Sequence, residues 1–463
     1  MPPENLKILQ TKTVAVVMRV SLRFQSVVYL YLIGLIALAE LLPAAYVLEG
    51  VLLFLFFMVF SGTIFYILLM LATRRSYPSE VSDDEPSPLD PLVYVLVPAH
   101  NEENVIGKTA RSVLNQDYLN LKLFLINDNS TDGTRKIMEA IKRQNPKRVV
   151  VIDVPPDRGR KKPRALNYAL ELIEKEHEKP EFVFILDADY ILPPDAIRKL
   201  VRIMEKAPNY VIGIQGNVRP RNWRKNFITK FITLERLAGF NVAIEGDMKL
   251  NENGKYGGTV ALIRFKDLIR VGKFGEDAIT EDTELWARAL ISGYRFWYYH
   301  GIVGWEEAVE DLRHYIKQRS RWAQGHLQVM IDYYWNVLRG CTTPVEAFVE
   351  HFYLLSYLVP VFWLLSLLLN GYLLLTGARS FGLIPPKISI AMSIVAFLVF
   401  WASIAYSNWI EGKRTGLQIE WSFIAAYPLY FSLFVFMAVI YTTRALLRLI
   451  AGKFHWEKTK RFT

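Results

Sequence analysis

Residues 182–189 read Phe182-Val183-Phe184-Ile185-Leu186-Asp187-Ala188-Asp189: an unbroken apolar run that ends in two carboxylates around an alanine. A run this short and this apolar reads as a strand buried on both faces. Carboxylates just past such a strand lie where an open α/β sheet collects its ligands. Working outward, similar runs fall at Leu92–Val97, Leu121–Ile126 and Arg148–Val154. Helical patterns separate them at Glu103–Leu114, Arg135–Arg143 and Arg164–Lys175. The alternation predicts a mainly parallel, Rossmann-like α/β sheet covered by helices. Polar clusters recur at the predicted strand ends: His100-Asn101-Glu102, Asp128-Asn129-Ser130, and Asp187 with Asp189.

Outside this region the chain is apolar. Of its 463 residues 52% are hydrophobic and 13% aromatic, and these collect near the N-terminus and in the last quarter. Phe24–Leu42 and Val51–Ala72 are each close to the roughly 20 residues that a helix needs to cross a bilayer. Pro43–Gly50 reads as a short connection between them. Lys7, Lys12, Arg19 and Arg23 precede the first run, and Arg74 and Arg75 follow the second, so both outer ends are expected inside. Three late apolar segments, about Phe348–Leu375, Ile388–Ala405 and Phe423–Ile440, carry candidate breaks at Pro360 and Pro428. The basic tail (Arg444, Arg448, Lys453, Lys458, Lys460, Arg461) also favours the inside, so one late segment, Phe423–Ile440 with its flanking Trp421 and Tyr441, is expected to lie in the interface. The net charge of +10 suits anionic lipid or a phosphorylated substrate, and no zinc-finger or RNA-binding signature argues for nucleic acid. Cys341 is the only cysteine, which rules out an intrachain disulfide.

The motifs divide by chemistry. Asp187 and Asp189 can share a hard divalent cation with phosphate oxygens, or can cap the following helix. Asp128 opens a helix start that can touch a nucleotide or simply cap. Arg158, Arg160, Lys161, Lys162 and Arg164 form either a solvated face or a pyrophosphate site. Thr280-Glu281-Asp282 is an acidic helix start that suits the dipole, or it supplies a base for an acceptor hydroxyl. Gln318, Arg321 and Trp322 share one helix face, where the tryptophan could stack on a sugar ring; a plain interfacial helix would also place them there.

In this order the pieces resemble family 2 glycosyltransferases of the GT-A fold, in the membrane-integrated branch with cellulose, chitin, hyaluronan and poly-N-acetylglucosamine synthases. Val97-Pro98-Ala99-His100-Asn101-Glu102-Glu103 is similar to the opening strand-loop, Asp128 stands at the nucleotide-binding aspartate, and Lys162-Pro163-Arg164-Ala165-Leu166-Asn167 resembles K-x-x-A-L-N. Asp187 and Asp189 match D-x-D, Gly257-Gly258-Thr259 the glycine-rich segment, Thr280-Glu281-Asp282 the T-E-D motif, and Gln318 to Trp322 Q-x-x-R-W. Phe454 to Thr459 resembles the gating-loop pattern only loosely.

The resemblance implies a GT-A domain inserted between transmembrane helices of an integral protein of the cell membrane, with the catalytic domain cytoplasmic. It implies Asp282 as the base. Glu102, Asp128, Lys162, Asp187, Gln318 and Arg321 would meet the donor; Trp322, Glu281 and Gly258 would meet the acceptor; Asp189 would hold Mg2+ or Mn2+. The donor would be UDP-glucose or UDP-N-acetylglucosamine, the acceptor a saccharide or lipid, and the new bond β. The implied parts are an N-terminal hairpin (1–75), a linker (76–91), the catalytic domain (92–305), interfacial helices (306–345), membrane or interfacial helices (346–450) and a basic tail (451–463). Three rivals stay open at this point: a glycolipid synthase of the ceramide-glucosyltransferase kind, a polyprenyl-phosphate sugar synthase, and a channel or scaffold with a dead transferase domain.

Overall fold

The computed structural model describes residues 44–77, 90–377 and 383–452. The first apolar run, most of the linker and the tail after Gly452 lie outside these residues. The catalytic region is one seven-stranded sheet in the order β3-β2-β1-β4-β6-β5-β7. Its strands are β1 Val93–Ala99, β2 Leu121–Asn127, β3 Val149–Asp153, β4 Phe182–Ile185, β5 Val211–Pro220, β6 Ala261–Arg264 and β7 Arg295–Glu306. The four strands read from sequence all form and pair in parallel, β1 with β2 and β4, and β2 with β3. β6 is antiparallel to both neighbours, and β5 runs parallel to β7.

Alternation explains why this sheet is buried on both sides. Val93, Val95 and Val97 of β1 face one layer, with helices α2 (Ile106–Leu114), α3 (Thr134–Gln144) and α5 (Ala196–Lys206). Tyr94 and Leu96 face the other, against α4 (Lys162–Ile173) and α9 (Glu281–Ile291). The ends of β1, β2 and β4 therefore emerge together between two dry layers, and there the polar clusters gather.

Helix α1 (Ala44–Ala72) starts directly after Pro43, so the expected connection over Pro43–Gly50 is helical from Ala44. Nothing from Ala44 to Leu48 breaks a helix, and Gly50 alone costs too little to stop one. Beyond α6 (Phe227–Ala238), a π-helical turn (Gly239–Ile244), α7 (Glu245–Asn251) and α8 (Phe265–Arg270), the chain returns to the apolar helices through α10 (Leu312–Gly340). It continues as α11 (Pro344–Leu354), α12 (Val359–Thr376), α13 (Pro386–Thr415), α14 (Trp421–Ala425) and α15 (Tyr427–Ile450). Pro360 and Pro428 sit in the first turns of α12 and α15, where a missing N–H costs nothing. The break before α12 splits the segment expected at Phe348–Leu375.

Among the described residues α1, α12, α13 and α15 are long and apolar enough to cross a membrane. The end of α13 is fixed to the catalytic domain. Glu411 accepts from Arg219 of β5 at 2.6 Å, both side chains fully buried, and Asn241 bridges them. Arg414 grips Glu245 at 2.6 and 2.8 Å. Thr73, after α1, lies 2.9 Å from Tyr406. At the opposite end, Glu49 accepts from the Leu383 N–H between α12 and α13. Helix α15 differs. Its length suits a crossing, yet Tyr427 and Phe434 stack on Phe231 of α6, and Thr442 donates to the Tyr357 carbonyl just before α12. Its first two turns thus pack on α6, and a later turn bonds to the segment just before α12.

Candidate active site

The first strand end is organised by turns. Asn101 and Asn129 take positive φ values of 54° and 56°, which asparagine tolerates better than most residues. The Asn101 side chain accepts from the Thr131 N–H at 2.7 Å, and Ser130 Oγ accepts from the Asn101 N–H. Glu102 is tied through its backbone N–H to Thr134 Oγ1 at 2.7 Å. These bonds lock the β1 loop onto the β2 loop. Asp128 is buried, and its Oδ1 accepts from the Arg160 N–H at 2.7 Å. The basic run is thereby drawn to the ends of the strands.

Lys162 opens α4 and is the hub. Its Nζ lies 2.7 Å from Asp187, 3.0 Å from Glu281, and donates to the Gly258 carbonyl at 2.7 Å. Burial alone would lower its pKa, but Asp187 and Glu281 outweigh that and hold it well above the usual lysine value. One ammonium therefore joins the D-x-D segment, the glycine-rich turn and the helix carrying Asp282. Asp189 is deeply buried beside it in sequence. Asp187 and Asp189 are hard oxygen donors that suit a divalent ion when diphosphate oxygens complete its shell. Among the described residues no group of three metal-ligating side chains exists, so protein ligands alone do not make a closed site.

Asp282 sits in the first turn of α9. Burial, then the adjacent Glu281 charge, pushes its pKa up to about 6, against the lowering pull of the Thr283 N–H, Lys162 and Arg321. Gly258 faces it with φ +83°. Of the expected donor residues on the Q-x-x-R-W helix, Arg321 acts on the Asp282 carboxylate through its charge. Gln318 instead accepts from its neighbour Arg319 at 3.0 Å. Trp322 has the guanidiniums of Arg236 and Arg319 at 4.8 and 4.2 Å from its ring centroid, so part of its π surface is already covered. Glu281, expected on the acceptor side, is engaged by Lys162.

The family profile described as glycosyltransferase-like family 2 matches residues 90–325, which takes in the sheet, Lys162, Asp282 and the Q-x-x-R-W motif. The chain belongs to this family. It is a glycosyltransferase with a GT-A-like core. A Bacillus subtilis protein named probable glycosyltransferase YdaM is 27% identical over 80% of this chain and 87% of its own. The poly-β-1,6-N-acetyl-D-glucosamine synthase of Staphylococcus aureus is 26% identical over 59% of this chain. That match spans 63% of the synthase, under two thirds of its length. In fold, the chain resembles a mannosyltransferase from Pyrobaculum calidifontis solved with GDP-Man and Mn2+, at TM-score 0.52 and 20% identity, over 78% of this chain and 99% of that one.

Around these groups of the glycosyltransferase lie further hydrogen bonds, some from residues that the sequence did not single out. Gln215 of β5 accepts from the Gly257 N–H at 2.8 Å and donates to the Thr259 carbonyl at 2.8 Å, holding the glycine turn from beneath. Thr259 Oγ1 accepts from the Asp187 N–H at 2.9 Å. Glu306 accepts from Tyr190 at 2.7 Å and from Arg236 at 2.9 Å, linking the D-x-D segment to the arginine over Trp322. The available signal for Gln215 was an amide directly after the apolar stretch Val211 to Ile214.

Proposed function

We propose that this glycosyltransferase is an inverting, membrane-bound enzyme that moves a sugar from a nucleotide-diphosphate donor to an acceptor hydroxyl and forms a β-linkage. The observation that carries the reading is Asp282: a carboxylate with its pKa raised to about 6, facing Gly258 and sharing the strand-end cluster with Lys162 and Asp187. A base poised near neutral pH takes a proton efficiently without being permanently protonated.

Asp128, the Glu102 loop and Lys162 would receive the nucleotide and diphosphate, with Arg321 alongside. Asp187 and Asp189 would hold Mg2+ or Mn2+, which would supply positive charge against the leaving diphosphate. Asp282 takes the acceptor proton, and the acceptor oxygen attacks the anomeric carbon opposite the diphosphate. The similarity to a poly-β-1,6-N-acetyl-D-glucosamine synthase favours UDP-N-acetylglucosamine, with UDP-glucose second. The catalytic domain faces the cytoplasm, where nucleotide sugars are made, and the apolar helices embed the protein in the cell membrane. A panel of labelled nucleotide sugars, supplied to membranes containing the full chain, tests this. Transfer with inversion from one donor is expected; an α-linked product from an α-linked donor would rule the mechanism out.

A further inference from the structure

A cavity of about 210 Å³ lies among α1, α6, α12, α13 and α15, beneath the catalytic domain. Its walls are apolar and aromatic, including Tyr66, Phe352, Phe400 and Phe431. Glu235 is the only charged side chain among the described lining residues, and Arg319 of the Q-x-x-R-W segment already pairs with it. The Thr63 hydroxyl is turned back onto its own helix, donating to the Val59 carbonyl. A saccharide brings several hydroxyls per ring, and each would lose its water here for few partners. A hydrocarbon chain loses nothing, and four of the helices around the cavity, α1, α12, α13 and α15, are long and apolar enough to cross a membrane.

The polar end of the cavity continues toward the chemistry. Glu235 leads to Arg319, whose guanidinium lies 4.2 Å from the Trp322 ring. Tyr441 on the wall stacks edge-on at 6.0 Å with Tyr357, whose ring lies 5.3 Å from that of His326, on the same helix as Arg319 and Trp322. Asp282 itself selects the headgroup. A phosphate acceptor needs no base and would be repelled by a carboxylate, whereas an alcohol needs one.

Resting on the function proposed above, we propose that this cavity seats the hydrocarbon chain of a lipid whose alcohol hydroxyl is the acceptor. The hydroxyl proton passes to Asp282. The acceptor oxygen bonds to the anomeric carbon, and the bond from that carbon to the diphosphate oxygen breaks, its electron pair leaving with the diphosphate.

The test uses full-length protein in phosphatidylcholine vesicles doped with a diacylglycerol carrying a diazirine in one acyl chain, plus labelled nucleotide sugar. Ala396→Trp and Gly62→Leu each fill the cavity from a different helix, while Ile394→Trp places an indole on the exposed side of α13, away from the cavity. Expected are photolabels on cavity residues, label in the organic extract, and at least a tenfold loss of both in the two filling variants with donor binding and Ile394→Trp unchanged. Photolabels absent from the cavity, or water-soluble product made equally well by the filling variants, would overturn the proposal and leave the transferase reading standing. Failure of every donor to bind or react would sink the transferase reading instead, and the photolabel alone would still decide whether the cavity takes hydrocarbon.

Discussion

Gly258 backs onto Asp282: a Cβ at position 258 would stand 3.1 Å from the Asp282 Oδ2, and the backbone there has φ +83°. Glycine is therefore required twice, for the left-handed conformation and for the approach to the carboxylate. We expect Gly258→Ala to cost about 1–2 kcal/mol in stability from the backbone alone. Transfer should fall further than that, because the methyl displaces Asp282. Thermal unfolding and kcat measured together check this; wild-type kcat in a folded Gly258→Ala protein would remove Gly258 from the site.

Asp282→Asn should reduce transfer by about 10²–10⁴-fold, the usual cost of losing a general base. Donor affinity in a calorimetric titration should hardly change. Loss of donor binding would make Asp282 a donor ligand instead.

The raised pKa of Asp282 also sets a pH profile. Its folded value of about 6 lies above the ordinary aspartate value of 3.8, so the folded state holds the proton more tightly. The carboxyl thus favours folding below pH 4, and that contribution fades as pH rises through about 6. Activity runs the other way: the ionised base appears above pH 6. We expect kcat to rise through a limb near pH 6, and Asp282→Asn to melt no lower than wild type at pH 7. A flat profile from pH 5 to 8 would argue against Asp282 as the base.

Lys162→Met leaves Asp187, Glu281 and the Gly258 carbonyl without their shared cation. Breaking a buried pair costs about 3–5 kcal/mol, but this ammonium is 20% exposed, so water moderates the loss to about 1–3 kcal/mol. Denaturant titration measures the stability. Donor binding should weaken as well, and normal binding would confine Lys162 to holding the three segments together.

Asp189→Asn is expected to weaken the response to Mg2+ or Mn2+. Activity after EDTA, with each ion restored, reads this out. Full activity of the wild type in EDTA would take the metal out of the mechanism.

The helix ends make a further expectation. Glu49 meets Leu383 at the end of the bundle away from Ser130 and the catalytic domain. Single cysteines at Leu383 and Ser130, in a Cys341→Ser background, should therefore label from opposite sides with an impermeant maleimide. Labelling from the same side would refute the antiparallel course of α12 and α13.

The sequence by itself determined what local chemistry and short periods encode. The apolar runs ending at Ala99, Asn127 and Ile185 specify strands buried on both faces, and βα alternation makes them parallel, so Asp128 and Asp187 had to emerge at one edge. Proline in the first turns of α12 and α15 fixed two helix starts. Tertiary structure alone decided what depends on partners far apart in the chain. Arg319 and Arg321 are two residues apart on one helix, yet the first pairs with Glu235 beside the cavity while the charge of the second acts on Asp282. Glu411 reads as a stray charge at the end of an apolar helix until Arg219, 192 positions earlier, meets it. Gln215 carries no motif, because its task is to satisfy the backbone of a turn some 42 residues away. A buried polar group must find a partner, but which partner is set only when the chain folds.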